Sequence, residues 1–276
     1  MSRKRKKKDK PIKSVVDIVI PVMNRFDLLE KCLDAIPDAV GDIPYKVYIY
    51  DNASKKEDAD KFYNELDRTI TTVVRSPKNV GFPRACNEGV KRGRSEFIFL
   101  LNSDAILYPD SIKILVEDMR NDKDIGILGM KLLFPQDQVG DPIRPAGKIQ
   151  HVGLFTNIRA EIIHAFVGWS SDNPKPNKVR DVYAVTGAAL MTRRNIWIKV
   201  GGFFEGYGMG TFEDVDFAMM VREMGYKICV NVNAVADHYT NATAVSEKVS
   251  YPLRENSSIF LSRWKDKLVW SEWEIL

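Results

Sequence analysis

Four short stretches hold side chains that could do chemistry together. Residues 97–104 run from an apolar segment straight onto Asn102, Ser103 and Asp104. These are ordinary turn residues, because their side chains bond nearby backbone groups. The same residues offer oxygens to a hard cation such as Mn²⁺ or Mg²⁺, and so to the phosphates it would bridge. Asp51 closes a second apolar segment, residues 46–50. Glu213, Asp214 and Asp216 follow the glycine-rich run 206–210, Gly-Tyr-Gly-Met-Gly. Acidic side chains in the first turn of a helix are favoured by its macrodipole, so they need no function. A carboxylate pair beside a glycine-rich backbone also suits a loop closing over an active site, with one carboxylate as general base. His238 stands among small and polar residues and could add a nitrogen ligand to Asp104.

The fourth stretch, Asn79 to Arg84, joins a loop to a helix. Its Asn79, Gly81 and Arg84 suit the oxygens of a diphosphate at a helix N-terminus. No G-x-G-x-x-G follows the first apolar segment, where Ile20-Pro21-Val22-Met23-Asn24-Arg25 stands instead, and no P-loop is present. The dinucleotide and P-loop readings therefore lose most of their weight. Without a Cys/His cluster at metal spacing, zinc is disfavoured.

The elements that must position these groups alternate. Apolar periodicity predicts strands at 15–20 (ended by Pro21), 46–50, 71–75, 96–101, 125–130 and 226–232. Helices are predicted at 25–36, 55–67, within 79–93 (a loop opening a helix that ends near Gly93), 109–120 and 213–224, and near the end with Ile259, Phe260 and Trp264 inward. Strand–helix–strand alternation with short connections implies one sheet, mainly parallel, flanked by helices. Ligands of such sheets bind outside the carboxyl ends of the strands, where Asp51 and Asp104 are expected. Residues 135–180 read as irregular excursions, and 182–194 as an apolar segment crossing the core.

The 276 residues suffice for one large domain with a substantial core. We expect a basic tail over 1–13, a catalytic domain over 14–245 and a helical extension packed on it over 246–276. The tail dominates the charge: residues 1–10 carry +6 against +4 for the whole chain, leaving the body at −2. Such runs are solvated, and this one could touch an anionic surface. A nucleic-acid-binding protein would spread basic and aromatic residues over the body, which the −2 opposes. Three widely spaced cysteines argue for a reducing compartment. With no apolar run of about 18 residues and no leader pattern, a cytoplasmic protein is expected, peripheral to a membrane at most.

In order along the chain, residues 16–36, "YDNAS", "NVGFPRACNEGV", "FIFLLNSDA", "IQHVGL", "VTGAALMTRR", "GGFFEGYGMGTFEDVDFAMMVREMGYKI" and "ADHYT" resemble the family 2 glycosyltransferases, with the rhamnosyltransferase-like branch nearest. The resemblance covers residues 15–242 and implies the GT-A fold, an α/β architecture with a single Rossmann-like mixed sheet. It implies inverting, divalent-metal-dependent transfer of a hexose or deoxyhexose from a UDP-, dTDP- or GDP-sugar. The acceptor hydroxyl would belong to a glycan, a lipid-linked sugar or a modified nucleic acid. By the same resemblance, Asp51 contacts the base, and Pro21, Asn24, Arg25, Asn79, Gly81, Arg84, Asn102 and Ser103 join the donor site. Asp104 and His238 hold Mn²⁺ or Mg²⁺, and Asp214, with Glu213 as its rival, is the general base. The first acidic position of the family's Asp-x-Asp motif is Asn102 here, so the site carries less negative charge. Two alternatives stay open: a polyanionic acceptor such as modified DNA, reached through the tail, and a nucleotidyltransferase on a similar sheet.

Overall fold

The computed structural model describes residues 13–137, 144–156, 162–178, 180–240, 247 and 249–268. The expected tail, Lys13 apart, lies outside these residues.

Strands and helices alternate as β1 (Val16–Val22), α1 (Phe26–Val40), β2 (Tyr45–Asn52), α2 (Lys56–Glu65), β3 (Thr71–Ser76), α3 (Phe82–Val90) and β4 (Phe97–Leu101). Then come β5 (Ala105–Leu107), α4 (Ser111–Asn121), β6 (Ile125–Leu133), β7 (Ile149–His151), β8 (Leu154–Thr156), β9 (Ile162–His164) and β10 (Arg180–Asp181). The chain continues through β11 (Ala189–Arg193), α5 (Arg194–Val200), α6 (Glu213–Glu223), β12 (Lys227–His238) and α7 (Leu253–Trp264).

One large sheet has the order β10-β12-β6-β11-β4-β1-β2-β3, with β5 beside β12 and β7 beside β6. The pairs β1–β2, β1–β4, β2–β3 and β6–β12 are parallel. β11 enters between β4 and β6 antiparallel to both. Parallel strands buried on both faces read as near-continuous apolar runs, which explains the sequence of β4. Alternate β1 residues serve different cores: Ile18 and Ile20 pack with α1, α2 and α4, whereas Val19 packs with α3, α5, α6 and α7.

Three expectations shift. Pro21 lies inside β1, opposite Tyr50 of β2. The β4 ladder already stops at Val19, so Pro21 has no bond to forfeit on that side. The last strand runs six residues longer than the predicted end at 232, through a bulge between Asn231 and Val235. His238 is therefore its final residue, opposite Ala105, rather than a loop residue beyond it. In α7, Phe260 and Trp264 are buried as expected, while Ile259 packs partly covered against the same cluster.

Candidate active site

The carboxyl ends of β1, β2 and β4 open into a cavity of about 680 Å³. Its walls include Pro21, Asn79, Asn102, Ser103, Asp104, His238, Glu213 and Asp214, eight of the thirteen residues singled out from sequence. They come from five separate parts of the chain. Their convergence follows from the sheet order, which sets β1 beside β4 and brings β12 back over the turn after β4 through β5.

That turn is tightly held. Asn102 N–H donates to Ala188 O, Ala105 N–H to Asn102 O, and Tyr239 N–H to Asp104 O. Asp104 is 7% exposed, and its Oδ1 lies 3.3 Å from Nε2 of His238. The other ring nitrogen, Nδ1, is 2.6 Å from Oε1 of Gln150. The Gln150 amide N–H groups go to His238 O and to Thr240 Oγ1, so Oε1 is the atom that accepts from the ring. Nδ1 therefore carries a proton, and Nε2 is the ring nitrogen that faces the Asp104 carboxylate. A ligating imidazole normally donates its other N–H in this way, so the pair is built as two ligands for one cation. Asn102 places Nδ2 3.2 Å from the same Nε2, and its buried Oδ1 has no hydrogen-bond partner. Among the described residues no third His, Cys, Asp or Glu joins the pair. The donor set is thus one carboxylate and one imidazole, with the Asn102 amide beside them. This suits Mn²⁺ or Mg²⁺ completing its shell with phosphate oxygens and water.

Across the cavity, α6 opens on Glu213 and Asp214. Oδ2 of Asp214 accepts Gly187 N–H at 2.9 Å and Oδ1 accepts Val215 N–H at 2.8 Å. Burial raises Asp214 above the ordinary carboxylate range, and these backbone donors oppose the rise. Glu213 is raised by burial first and by Asp214 second, against the pull of its own and Thr211's backbone N–H groups. Its Oε2 is buried with no partner. The better solvated charge in this pair is Asp214, so Glu213 keeps the proton. Asp216, on the same turn, faces the protein: Tyr207 Oη–H, Arg263 Nε–H and Trp264 Nε1–H all donate to Oδ1. It ties α6 to α7.

Five residues are not brought to the cavity. Asp51 is fully buried beneath it, 2.9 Å from Arg75 Nε and accepting Ser54 N–H. Its neighbour Asn52 faces the cavity instead and donates to Asn79. Successive strand side chains point to opposite faces, so a one-residue offset changes which is presented. Gly81 serves packing: a Cβ there would lie 1.9 Å from Gly208 O, and its φ is +83°. The N-terminus of α3 is not a free anion site, because Asn79 Oδ1 accepts Gly81 N–H, Met209 O accepts Phe82 N–H and Pro83 has none to give. Arg84 points outward toward Glu205, 3.9 Å away. Asn24 is spent on Lys55 N–H, and Arg25 forks onto Asp27.

Gln150, Asn52 and the amide of Gly187 escaped sequence reasoning. The only signal for Gln150 was the polar pair Gln150-His151 in an otherwise apolar stretch.

The model for glycosyl transferase family 2 matches residues 17–169. Among curated proteins, y4gI of Sinorhizobium fredii is 24% identical over 91% of this chain and 28% of its own length. The O-antigen biosynthesis protein RfbC of Myxococcus xanthus is 22% identical over 85% of this chain and 18% of its own. The chain thus spans less than a third of the length of these relatives. Among solved structures, GalNAc-T7 with UDP, GalNAc and Mn²⁺ superposes with a TM-score of 0.68 at 14% identity, over 92% of this chain and 49% of that one. The mannosyltransferase PcManGT from Pyrobaculum calidifontis, in complex with GDP-Man and Mn²⁺, gives 0.56 at 16% identity, over 83% and 57%.

Proposed function

Because the chain belongs to glycosyl transferase family 2 and shares the GT-A fold of its structural neighbours, we propose that it is an inverting, metal-dependent glycosyltransferase with Asp214 as general base. The observation that carries this reading is the meeting, in one cavity, of the Asp104–His238 pair with a backbone-held Asp214.

The donor diphosphate lies against the turn 102–104, its nucleoside toward Asn52 and Asn79. A divalent ion held by Asp104 and His238 would offset the charge developing on the departing diphosphate. Asp214 removes the proton from the acceptor hydroxyl as its oxygen bonds to the anomeric carbon. The bond from that carbon to the diphosphate breaks on the opposite face, inverting the configuration. Glu213, protonated, sits beside the base without competing for the proton. The Gly187 and Val215 amides hold the Asp214 carboxylate in place and keep it ionised.

The donor is a UDP-, dTDP- or GDP-hexose or deoxyhexose. The UDP and GDP-Man bound in the two neighbours support the nucleotide class, and the Mn²⁺ there supports the ion. The name of RfbC supports a saccharide acceptor. A nucleotidyltransferase would place a basic, glycine-rich loop after β1, where Met23, Asn24 and Arg25 stand. Among the described residues no helix is long and apolar enough to cross a membrane.

Calorimetric titration with UDP, GDP, dTDP, CDP and ADP, with and without Mn²⁺, tests the reading. Mn²⁺-dependent binding of one nucleotide class is expected. Failure of the folded protein to bind any of them overturns it.

A further inference from the structure

The three histidines of the chain are neighbours in space. His238 belongs to the site above, while His151 and His164 pair with each other, Nδ1 to Nδ1, at 3.0 Å, their rings crossing edge to face. His151 is 1% exposed, whereas His164 lines the cavity.

The backbone decides where the protons lie. Gly153 N–H and Thr186 N–H both donate to Nε2 of His151, at 3.3 and 3.4 Å. That nitrogen cannot carry a hydrogen, so the proton of a neutral His151 is on Nδ1 and is donated to Nδ1 of His164. Nδ1 of His164 is thereby an acceptor, and its ring must carry its own proton on Nε2. Charging either ring would set N–H against N–H. Burial accordingly holds His151 well below the ordinary imidazole range, and His164, whose ring opens onto the cavity, is lowered in the same direction, with His238 opposing any charge on them. A neutral imidazole of one tautomer, anchored from behind, presents a single directed N–H.

We propose that His164 Nε2–H is a positioning donor to a hydroxyl oxygen of a hexopyranose in the cavity, and that His151 orients it. The proposal rests on the glycosyltransferase reading for the identity of the ligand. The sugar comes from the donor or from the acceptor, and kinetics separates the two. A fixed N–H donor recognises an oxygen of given position, which makes His164 a specificity determinant rather than an acid or base.

The test has two arms. In ¹⁵N-histidine-labelled protein, long-range ¹H–¹⁵N correlations should show His151 protonated on Nδ1 and His164 on Nε2, both unchanged from about pH 5.5 to 8. The His164 Nε2 signal should move on adding the nucleotide sugar, or the acceptor, but not the nucleoside diphosphate alone. A His164 protonated on Nδ1, or titrating near neutrality, overturns the proposal, as does a signal that no sugar moves. In the kinetic arm, His164→Ala should raise KM about tenfold for one sugar substrate. The other KM and the nucleotide Kd should stay within about twofold, and His164→Asn, which keeps an N–H, should recover most of the loss. Equal KM values in wild type and His164→Ala overturn it. If wild type binds nucleotide sugar yet transfers nothing, the catalytic reading fails, and the spectroscopic arm still decides the role of His164.

Discussion

Nε2 of His238 stands 3.3 Å from Oδ1 of Asp104, and Gln150 fixes which ring nitrogen carries the proton. Asp104→Ala should abolish the Mn²⁺-dependent part of nucleotide binding. Gln150→Leu should keep both ligands but weaken Mn²⁺ about 10- to 100-fold, the usual cost of losing the group that orients a ligating imidazole. Titration with Mn²⁺ at saturating nucleotide reads both. Unaltered Mn²⁺ affinity in Gln150→Leu would remove the role given to Gln150.

Asp214→Asn preserves volume and removes the base. Transfer should fall about 10²- to 10⁴-fold while the Kd for the nucleoside diphosphate stays put. Parallel loss of binding would mean that Asp214 supports the fold of α6 instead.

Glu213 gives a pH signature. Its native pKa is raised above that of the unfolded chain by burial and by Asp214. Between the two values the native state binds more protons than the unfolded state, so stability falls as pH rises. Glu213→Gln removes the titration. Its chemical-denaturation midpoint should therefore decline less than that of wild type between about pH 5 and 9. Superimposable profiles would contradict the assignment.

Asn256 of α7 is 2% exposed, and its Nδ2 lies within 3.0 Å of Tyr207 O, Gly210 O and Thr211 Oγ1. Two N–H bonds cannot serve three acceptors at once, yet each tethers the loop that ends at Glu213. Asn256→Ala should cost about 1–3 kcal/mol of stability and speed amide exchange across residues 207–211. Exchange confined to α7 would show that the helix does not clamp the loop.

Gly81→Ala probes the other side of that loop, where a Cβ has no room beside Gly208 O. Loss of loop protection should accompany a higher donor KM, read by exchange and initial rates. An unperturbed loop would mean that the close approach there carries no constraint.

Much of this protein was decided locally. The apolar runs of β1, β2 and β4 and the helical spacing of Leu28, Leu29, Cys32 and Ile36 encode strand, helix and buried face through side-chain periodicity alone. Asp104 and the Glu213–Asp214 pair were legible because a carboxylate at a strand end or helix start leaves a mark in a short window. The tertiary structure decided the rest. Asp51 and Asn52 differ by one residue, and only the pairing of β2 with β3, which sets Arg75 against Asp51, turns Asn52 to the cavity. Asp214 is held by Gly187 because β11 enters the sheet antiparallel between β4 and β6, a long-range choice that no local pattern encodes. The apparent anion site at Gly81 is filled by a loop more than 120 residues further along the chain. His151 and His164 acquire their tautomers only from backbone amides at 153 and 186. Periodicity states which face a residue takes; what meets it there depends on contacts between distant segments, and those set the protons and charges of the site.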